Sequence, residues 1–203
     1  MRNRLALLII LMISFTAVST SITFYVLSPK PSQAYMALEI YSQSGLQGYA
    51  IPRTNSTIGP QQRLNWTLAV TNRMGSSQFV RVIARISNST QASPNSTSSS
   101  AGSEITDLNH FVAEGDIEYI NFTWTLQNVR QIGGTQGPIY FLNLTINGEP
   151  TIAPEVGALS GKGFRWIFEL WTYDLSSNNF EYGYGPQSSA TGTWVQIWFN
   201  VHP

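Results

Sequence analysis

The chain has 203 residues, with eleven basic residues, eleven acidic residues and no cysteine. The even charge balance argues against a nucleic-acid-binding protein, which would carry a basic excess. The lack of cysteine excludes disulfides, thiolate metal sites and cysteine nucleophiles. A charged fraction of 11% with an aromatic fraction of 12% is typical of a folded, β-rich protein rather than a disordered one.

An uncharged apolar segment covers residues 5–27. At 1.5 Å per residue, a helix of this length can cross the roughly 30 Å hydrocarbon core of a bilayer. Arg2 and Arg4 precede it, and this basic flank predicts a cytoplasmic N-terminus with the rest of the chain outside. The sequence therefore predicts a signal-anchor transmembrane helix at residues 1–28, in contact with membrane lipid, in a single-pass protein of the cell membrane.

A cleaved signal peptide is the alternative interpretation of this segment. The apolar region of a signal peptide usually has 7–15 residues and ends at a small-x-small cleavage site. Ser32-Gln33-Ala34 fits that site pattern only loosely. Both interpretations export the same domain, which we place at residues 36–203, after a short tether at residues 29–35 that contains two prolines.

The exported part alternates apolar and polar residues in seven segments, as half-buried strands do. These segments are Met36–Tyr41, Leu64–Thr71, Phe79–Ile86, Ile120–Leu126, Tyr140–Ile146, Phe164–Trp171 and Trp194–Val201. The pattern predicts an immunoglobulin-like antiparallel β-sandwich of about seven strands. A jelly roll or a small barrel is the alternative.

Turn signals and irregular stretches separate these segments. Asn147-Gly148 and Glu114-Gly115-Asp116 predict tight turns. Residues 87–103 are a low-complexity polar loop with nothing to bury. Residues 148–163 and 176–193 contain several glycines and prolines, and they predict long connections.

Six Asn-x-Ser/Thr triplets occur, and such triplets accept N-linked glycans in exported proteins. Three of them lie in predicted strands, where the two-residue period places the asparagine on the polar face. Polar faces of strands are rich in Asn and Thr in any case, so the triplets also have a purely structural explanation. The glycosylation candidates are Asn55, Asn65, Asn88, Asn95, Asn121 and Asn143.

The six tryptophans divide between the two faces of the predicted strands. Three lie on apolar faces and are predicted core residues: Trp66, Trp124 and Trp166. Three lie on the opposite faces, where together they would form an exposed ligand or partner surface: Trp171, Trp194 and Trp198. The alternative is that the connection at residues 176–193 folds over the second group.

The densest set of potential metal ligands lies between residues 104 and 118. It consists of Glu104, Asp107, His110, Glu114, Asp116 and Glu118. Carboxylates and histidine suit a calcium or other metal site, but the spacing is not that of an EF-hand loop. A solvated acidic edge is the favoured interpretation. We assign no catalytic residue, metal ligand or cofactor from the sequence.

Five short segments carry a resemblance to a known family. They are Gly48–Pro52 (GYAIP), Thr57–Gly59 (TIG), Leu64–Ile86, Val112–Gly115 (VAEG) and Trp194–Val201 (WVQIWFNV). Together they resemble the exported module of domain-of-unknown-function family 1616, which is found largely in archaeal membrane proteins. The resemblance covers residues 38–201, with insertions at residues 87–103 and 148–163.

The chain departs from that family at two points. Ala50 and Ile51 separate Tyr49 from Pro52, where the family has the two adjacent. Family members often have several membrane helices, whereas this sequence predicts one. The resemblance implies an envelope protein of unknown activity and contributes no catalytic residues.

The sequence favours a non-catalytic glycoprotein of the cell envelope whose extracytoplasmic domain contacts other envelope or membrane proteins. The first alternative is a carbohydrate-binding module that uses Trp171, Trp194 and Trp198. The second is a hydrolase or metal-binding protein with its site at the acidic edge, residues 104–118.

Overall fold

The structure is a computed structural model that describes residues 34–42, 57–133, 137–151, 156–185 and 191–202. Strands, turns and loops make up these residues, so the prediction of an all-β domain is confirmed. Among them, no helix is long and apolar enough to span a membrane. The predicted anchor, nearly all of the tether and the acceptor Asn55 lie outside the described residues.

Twelve strands occupy the described residues. They are β1 (Tyr35–Ser42), β2 (Thr57–Ile58), β3 (Arg63–Arg73), β4 (Gln78–Asn88), β5 (Ser103–Val112), β6 (Ile117–Ile132), β7 (Ile139–Ile146), β8 (Glu149–Pro150), β9 (Gly157–Leu159), β10 (Phe164–Asp174), β11 (Asn179–Tyr182) and β12 (Thr193–Val201). All seven predicted strands are present. The count of about seven was too low, because it omitted β5 and four strands of only two to four residues.

The strands form two sheets. In the first sheet the order is β1-β3-β6-β7-β8, and β9 also pairs with β7. In the second sheet the order is β2-β12-β10-β4-β5, and β11 also pairs with β10. Neighbouring strands are antiparallel except for the short parallel pair of β2 and β12.

Aromatic side chains from both sheets meet in the core. Trp66 of the first sheet lies 6.4 Å from Trp166 of the second between ring centroids, and it lies 6.0 Å from Phe168. Trp124 lies 5.5 Å from Trp166. These edge-to-face contacts between opposite sheets make the fold a β-sandwich. The prediction that Trp66, Trp124 and Trp166 are core residues is confirmed, since each is at most 2% exposed.

Strand β5 was absent from the sequence prediction, which interpreted residues 104–118 as a solvated acidic edge. Its pairing with β4 shifts at Ala84, where Thr106 pairs with Ala84 and Glu104 pairs with Arg85. This bulge moves the apolar period by one residue. As a result, Ile105 and Leu108, which pack on the core in the same strand as the buried Val112, are three apart instead of two.

Both predicted turns are present. Asn147 and Gly148 have φ angles of 51° and 92°, the left-handed conformation that a tight hairpin turn requires. Gly115 has a φ angle of 84° and donates its amide to the carbonyl of Asn72. The described parts of the predicted connections at residues 148–163 and 176–193 contain three short strands that the sequence did not predict, β8, β9 and β11.

Candidate functional site

Trp171, Trp194 and Trp198 share the outer face of the second sheet, as the sequence predicted. Strand β10 pairs with β12 so that Glu169 lies opposite Trp194 and Arg165 lies opposite Trp198. Trp198 is 43% exposed, whereas Trp171 and Trp194 are half-buried. The three rings therefore lie on one face, but only Trp198 is largely open to solvent.

Arg165 lies beneath Trp198 and is a buried cation. Its guanidinium carbon is 4.8 Å from the centre of the Trp198 ring, and the residue is only 2% exposed. Its nitrogens donate to neutral oxygens, which are Ser87 Oγ at 3.2 Å, Gln91 O at 2.7 Å, Gln196 Oε1 at 3.3 Å and Ser93 Oγ. Burial lowers the pKa of Arg165 from its ordinary value. In the part of the chain that the structure describes, no carboxylate lies within 4.0 Å of it.

Glu169 is the second buried charge on this face, with no exposed surface. Its carboxylate accepts from Arg85 Nε at 3.0 Å, from the backbone amide of Ser100 and from Trp171 Nε1 at 3.4 Å. Arg85 also contacts Glu104 at 3.4 Å. Because charge-assisted hydrogen bonds satisfy the carboxylate, its burial is tolerated.

The loop at residues 89–102 covers both buried charges. Gln91 and Ser93 bond Arg165, and Ser100 bonds Glu169. Further along, the carbonyl of Asn95 accepts from the hydroxyl of Tyr182 at 3.0 Å. The sequence prediction that this polar loop has nothing to bury was wrong. It buries charged groups through hydrogen bonds, and hydrophobic periodicity does not detect that.

Part of the predicted cover over the tryptophans is present. Tyr182 packs on Trp171 with 5.7 Å between ring centroids. Burial, followed by repulsion from Glu169, raises the pKa of Tyr182 well above its ordinary value of 10.0. Residues 186–190 of the same connection lie outside the described residues. Trp171 is thus partly covered by this connection, while Trp198 is contacted by Arg165 of the sheet itself.

A second aromatic group on the outer face was not predicted. Phe79, Tyr173 and Phe180 lie 5.2–6.0 Å apart between centroids, and the guanidinium of Arg81 lies 4.1 Å from the Phe180 ring centre. Phe111 pairs with Phe79 across β4 and β5 and is 65% exposed. Phe79 and Phe111 lie on the neighbouring strands β4 and β5. Because the sequence predicted β4, its alternation could have placed Phe79 on the outer face. Phe111 could not be placed in this way, because β5 was not predicted as a strand.

The acidic residues between positions 104 and 118 do not converge. Glu104 pairs with Arg85, Asp107 pairs with Arg81 at 3.2 Å, and His110 contacts Glu118 at 3.2 Å. Glu114 accepts from the amide of Gly75 at 2.7 Å. Within the described ranges, no three His, Cys, Asp or Glu residues are grouped as a metal site would need.

Five of the six glycan acceptors lie in described residues, in two different settings. Asn65, Asn121 and Asn143 lie in strands of the first sheet, and the residue that follows each of them is buried. Asn88 and Asn95 lie at the end of β4 and in the 89–102 loop.

Neither a protein-family model nor a curated protein matches the sequence. Among solved structures, the fold is similar to a CARDB domain from Pyrococcus furiosus, solved in complex with di-metal ions. That match has a TM-score of 0.38 and 9% identity, and it covers 86% of this chain and 97% of the other. The fold is also similar to the sporulation control protein Spo0M from Bacillus subtilis. Here the TM-score is 0.37 and the identity 8%, over 83% of this chain and 50% of Spo0M.

Proposed function

We propose that this chain is a single-pass, membrane-anchored protein of the cell envelope whose exported β-sandwich binds other surface molecules and performs no catalysis. The uncharged segment at residues 5–27, with Arg2 and Arg4 before it, supports the anchor and its orientation. Two sheets, each with four strands of eight or more residues, support the immunoglobulin-like arrangement. The five short motifs support membership of domain-of-unknown-function family 1616.

The aromatic outer face of the second sheet is the observation that carries the proposal. Phe79, Phe111 and Trp198 are 42%, 65% and 43% exposed on it. Phe79 and Phe111 lie opposite each other at one end of this face, and Trp198 lies toward its other end. Aromatic rings exposed on a sheet face are typical of binding surfaces, since burying them against a partner releases water. The charges beside them, Arg81 and Asp107, would give such a surface its orientation and specificity.

The lack of catalysis is also part of the proposal. The sequence has no cysteine and two histidines, so it contains few of the groups that act as nucleophiles and general bases. One of those histidines, His110, is engaged with Glu118.

Photo-crosslinking on intact cells tests this function. A photo-reactive phenylalanine analogue replaces Phe111 in one variant and Trp198 in another. Tyr119 is the matched control, because it is an aromatic residue that is 61% exposed on the outer face of the other sheet. We expect discrete crosslinked species from the first two positions only. We also expect protease added outside the cells to digest the domain, because the proposal places it outside. Recovery of the chain solely as an uncrosslinked monomer would refute the proposal.

Carbohydrate binding through Trp198, with Trp171 and Trp194 beside it, is the second candidate. Its specific support is the stacking of Arg165 under the Trp198 ring, which fixes the ring with its other side toward solvent. Sugar rings stack on aromatic faces held in this way. We expect the full chain to bind a subset of glycans on an array, and Trp198→Ala to lose that binding while it remains folded. Failure of the wild-type chain to bind any glycan rules this candidate out.

A further inference from the structure

Three of the acceptor triplets have the same sequence, and two of these lie wholly in described residues. Residues 88–90 and residues 95–97 both read Asn-Ser-Thr, and they are seven positions apart. In each triplet the asparagine Oδ1 accepts from the amide and the hydroxyl of the threonine. Sequence and local turn are therefore matched, and any difference in modification must come from the surroundings.

The amide nitrogen distinguishes the two asparagines. Nδ2 of Asn88 donates to the carbonyl of Gly157 at 2.8 Å, and the residue is half-buried in a groove of about 500 Å³. For Asn95, every side-chain hydrogen bond to described residues uses Oδ1. Asn95, Ser96 and Thr97 are all exposed. Among the described residues, the nitrogen that receives a glycan thus has a hydrogen-bond partner in the Asn88 triplet and none in the Asn95 triplet.

The three acceptors in strands are placed differently again. The residue after the asparagine is Trp66, Phe122 or Leu144, and each is at most 2% exposed. A transferase that grips the whole triplet would have to pull this side chain out of the core and open the sheet. The Asn95 turn needs no such opening, because its three side chains are already exposed. Its backbone is held by the bond from the Asn95 amide to the Ser98 carbonyl at 2.9 Å, and its carbonyls accept from the Gly192 amide at 2.6 Å and the Tyr182 hydroxyl at 3.0 Å.

We propose that Asn95 is the preferred N-glycosylation site of the folded protein among the acceptors described, and that the bond to Gly157 disfavours modification of Asn88. The donor class is an oligosaccharide linked to a lipid phosphate. Nδ2 of Asn95 forms a bond to C1 of the first sugar, and the C1–O bond breaks so that the lipid phosphate leaves with the electron pair. The proton lost from Nδ2 passes to a carboxylate of the transferase. Modification in the cell rests on the proposed export, because glycans of this kind are added outside the cytoplasm.

The test uses the purified full chain with Asn55→Gln, which removes the acceptor outside the described residues. The chain, in detergent, is mixed with a purified oligosaccharyltransferase and its lipid-linked donor, and intact mass is the readout. We expect the folded chain to gain one glycan, Thr97→Val to abolish the gain and Thr90→Val to leave it unchanged. Occupancy of Asn95 should exceed that of Asn88 by about tenfold, the factor expected for breaking one hydrogen bond. After heat unfolding, the two triplets should be modified equally.

Two results would overturn the inference. One is a folded chain that stays unmodified while the unfolded chain is modified. The other is a folded Thr97→Val chain that still gains the glycan or a Thr90→Val chain that loses it. Failure of the proposed function gives a different result, in which the folded chain is modified at Asn95 in vitro but the chain from cells carries no glycan and resists external protease.

Discussion

Strand β10 buries both of its faces, and the chemistry differs between them. On the inner face, Trp166 and Phe168 pack against rings of the opposite sheet. On the outer face, Arg165 and Glu169 are buried under the 89–102 loop by directional hydrogen bonds. On the inner face, stability depends on the volume of the buried side chains. On the outer face, it depends on each hydrogen-bond partner of the buried charges. The variants below separate these two kinds of burial.

Removing an inner ring should have the largest effect. Trp166→Ala deletes a side chain with no exposed surface that touches rings on both sheets. We expect the free energy of unfolding to fall by about 3–5 kcal/mol, from lost burial and the cavity left behind. Denaturant unfolding of the full chain measures this change.

Phe168→Leu is the milder companion variant, for use if Trp166→Ala does not fold. It keeps an apolar side chain at an equally buried position, and a loss of about 1 kcal/mol is expected. A change near zero for both variants would contradict a core built on these ring contacts.

Removing an outer partner should have the next largest effect. Arg85→Met leaves the fully buried Glu169 carboxylate without its cation. We expect a loss of about 2–3 kcal/mol, below the roughly 3–5 kcal/mol of a fully buried pair, because the Arg85 side chain keeps 14% exposure. The double variant Arg85→Met, Glu169→Gln removes the charge that is left behind, and it should be more stable than Arg85→Met alone. Equal stability of the two variants would show that the charge at Glu169 is not what matters.

The bond from Tyr182 to the 89–102 loop should contribute less. Tyr182→Phe removes the hydroxyl that donates to the Asn95 carbonyl, at a cost of about 1 kcal/mol at neutral pH. Because the folded-state pKa of Tyr182 is raised above 10.0, the stability it contributes is complete below pH 10.0 and is lost as the pH rises toward the folded value. The gap between wild type and Tyr182→Phe should therefore narrow when unfolding is measured from about pH 8 to about pH 11. A constant gap would mean that the phenol does not titrate differently in the folded state.

The contrast between the two faces also explains which features the sequence could predict. All seven alternating segments became strands, and the core tryptophans followed from their faces, because inner-face burial has a two-residue hydrophobic period. The outer face of β10 follows the same period, yet Arg165 and Glu169 are as buried as the residues of the core. Charged residues at alternate positions indicate a solvated face unless the covering segment is known. That segment, residues 89–102, is polar and low in complexity, so composition alone predicted an irregular loop with nothing to bury.

The candidate surface could be predicted only in part for the same reason. Trp171, Trp194 and Trp198 were placed on one face by alternation, but their unequal exposure depends on contacts with Tyr182 and Arg165 that are distant in sequence. Phe111 could not be found, because the bulge at Ala84 hides the period of β5. The identical Asn-Ser-Thr triplets at residues 88–90 and 95–97 cannot be told apart by sequence at all, since they differ in the burial of the asparagine and in the bond from Asn88 to the carbonyl of Gly157.

The smallest change in stability is expected where the outer face is open. Phe111 is 65% exposed, so Phe111→Ser should alter the free energy of unfolding by no more than about 0.5 kcal/mol. The same variant should remove the crosslinked species obtained from Trp198 on intact cells, because the proposed partner would bury both rings. Tyr119→Ser, an equivalent change on the other sheet, should leave both stability and crosslinking intact. If Phe111→Ser instead destabilises the chain as much as Arg85→Met does, the Phe111 ring stabilises the fold, and this part of the outer face is not a free binding surface. If crosslinking persists in a stable Phe111→Ser chain, the partner contacts only the tryptophan end of the face.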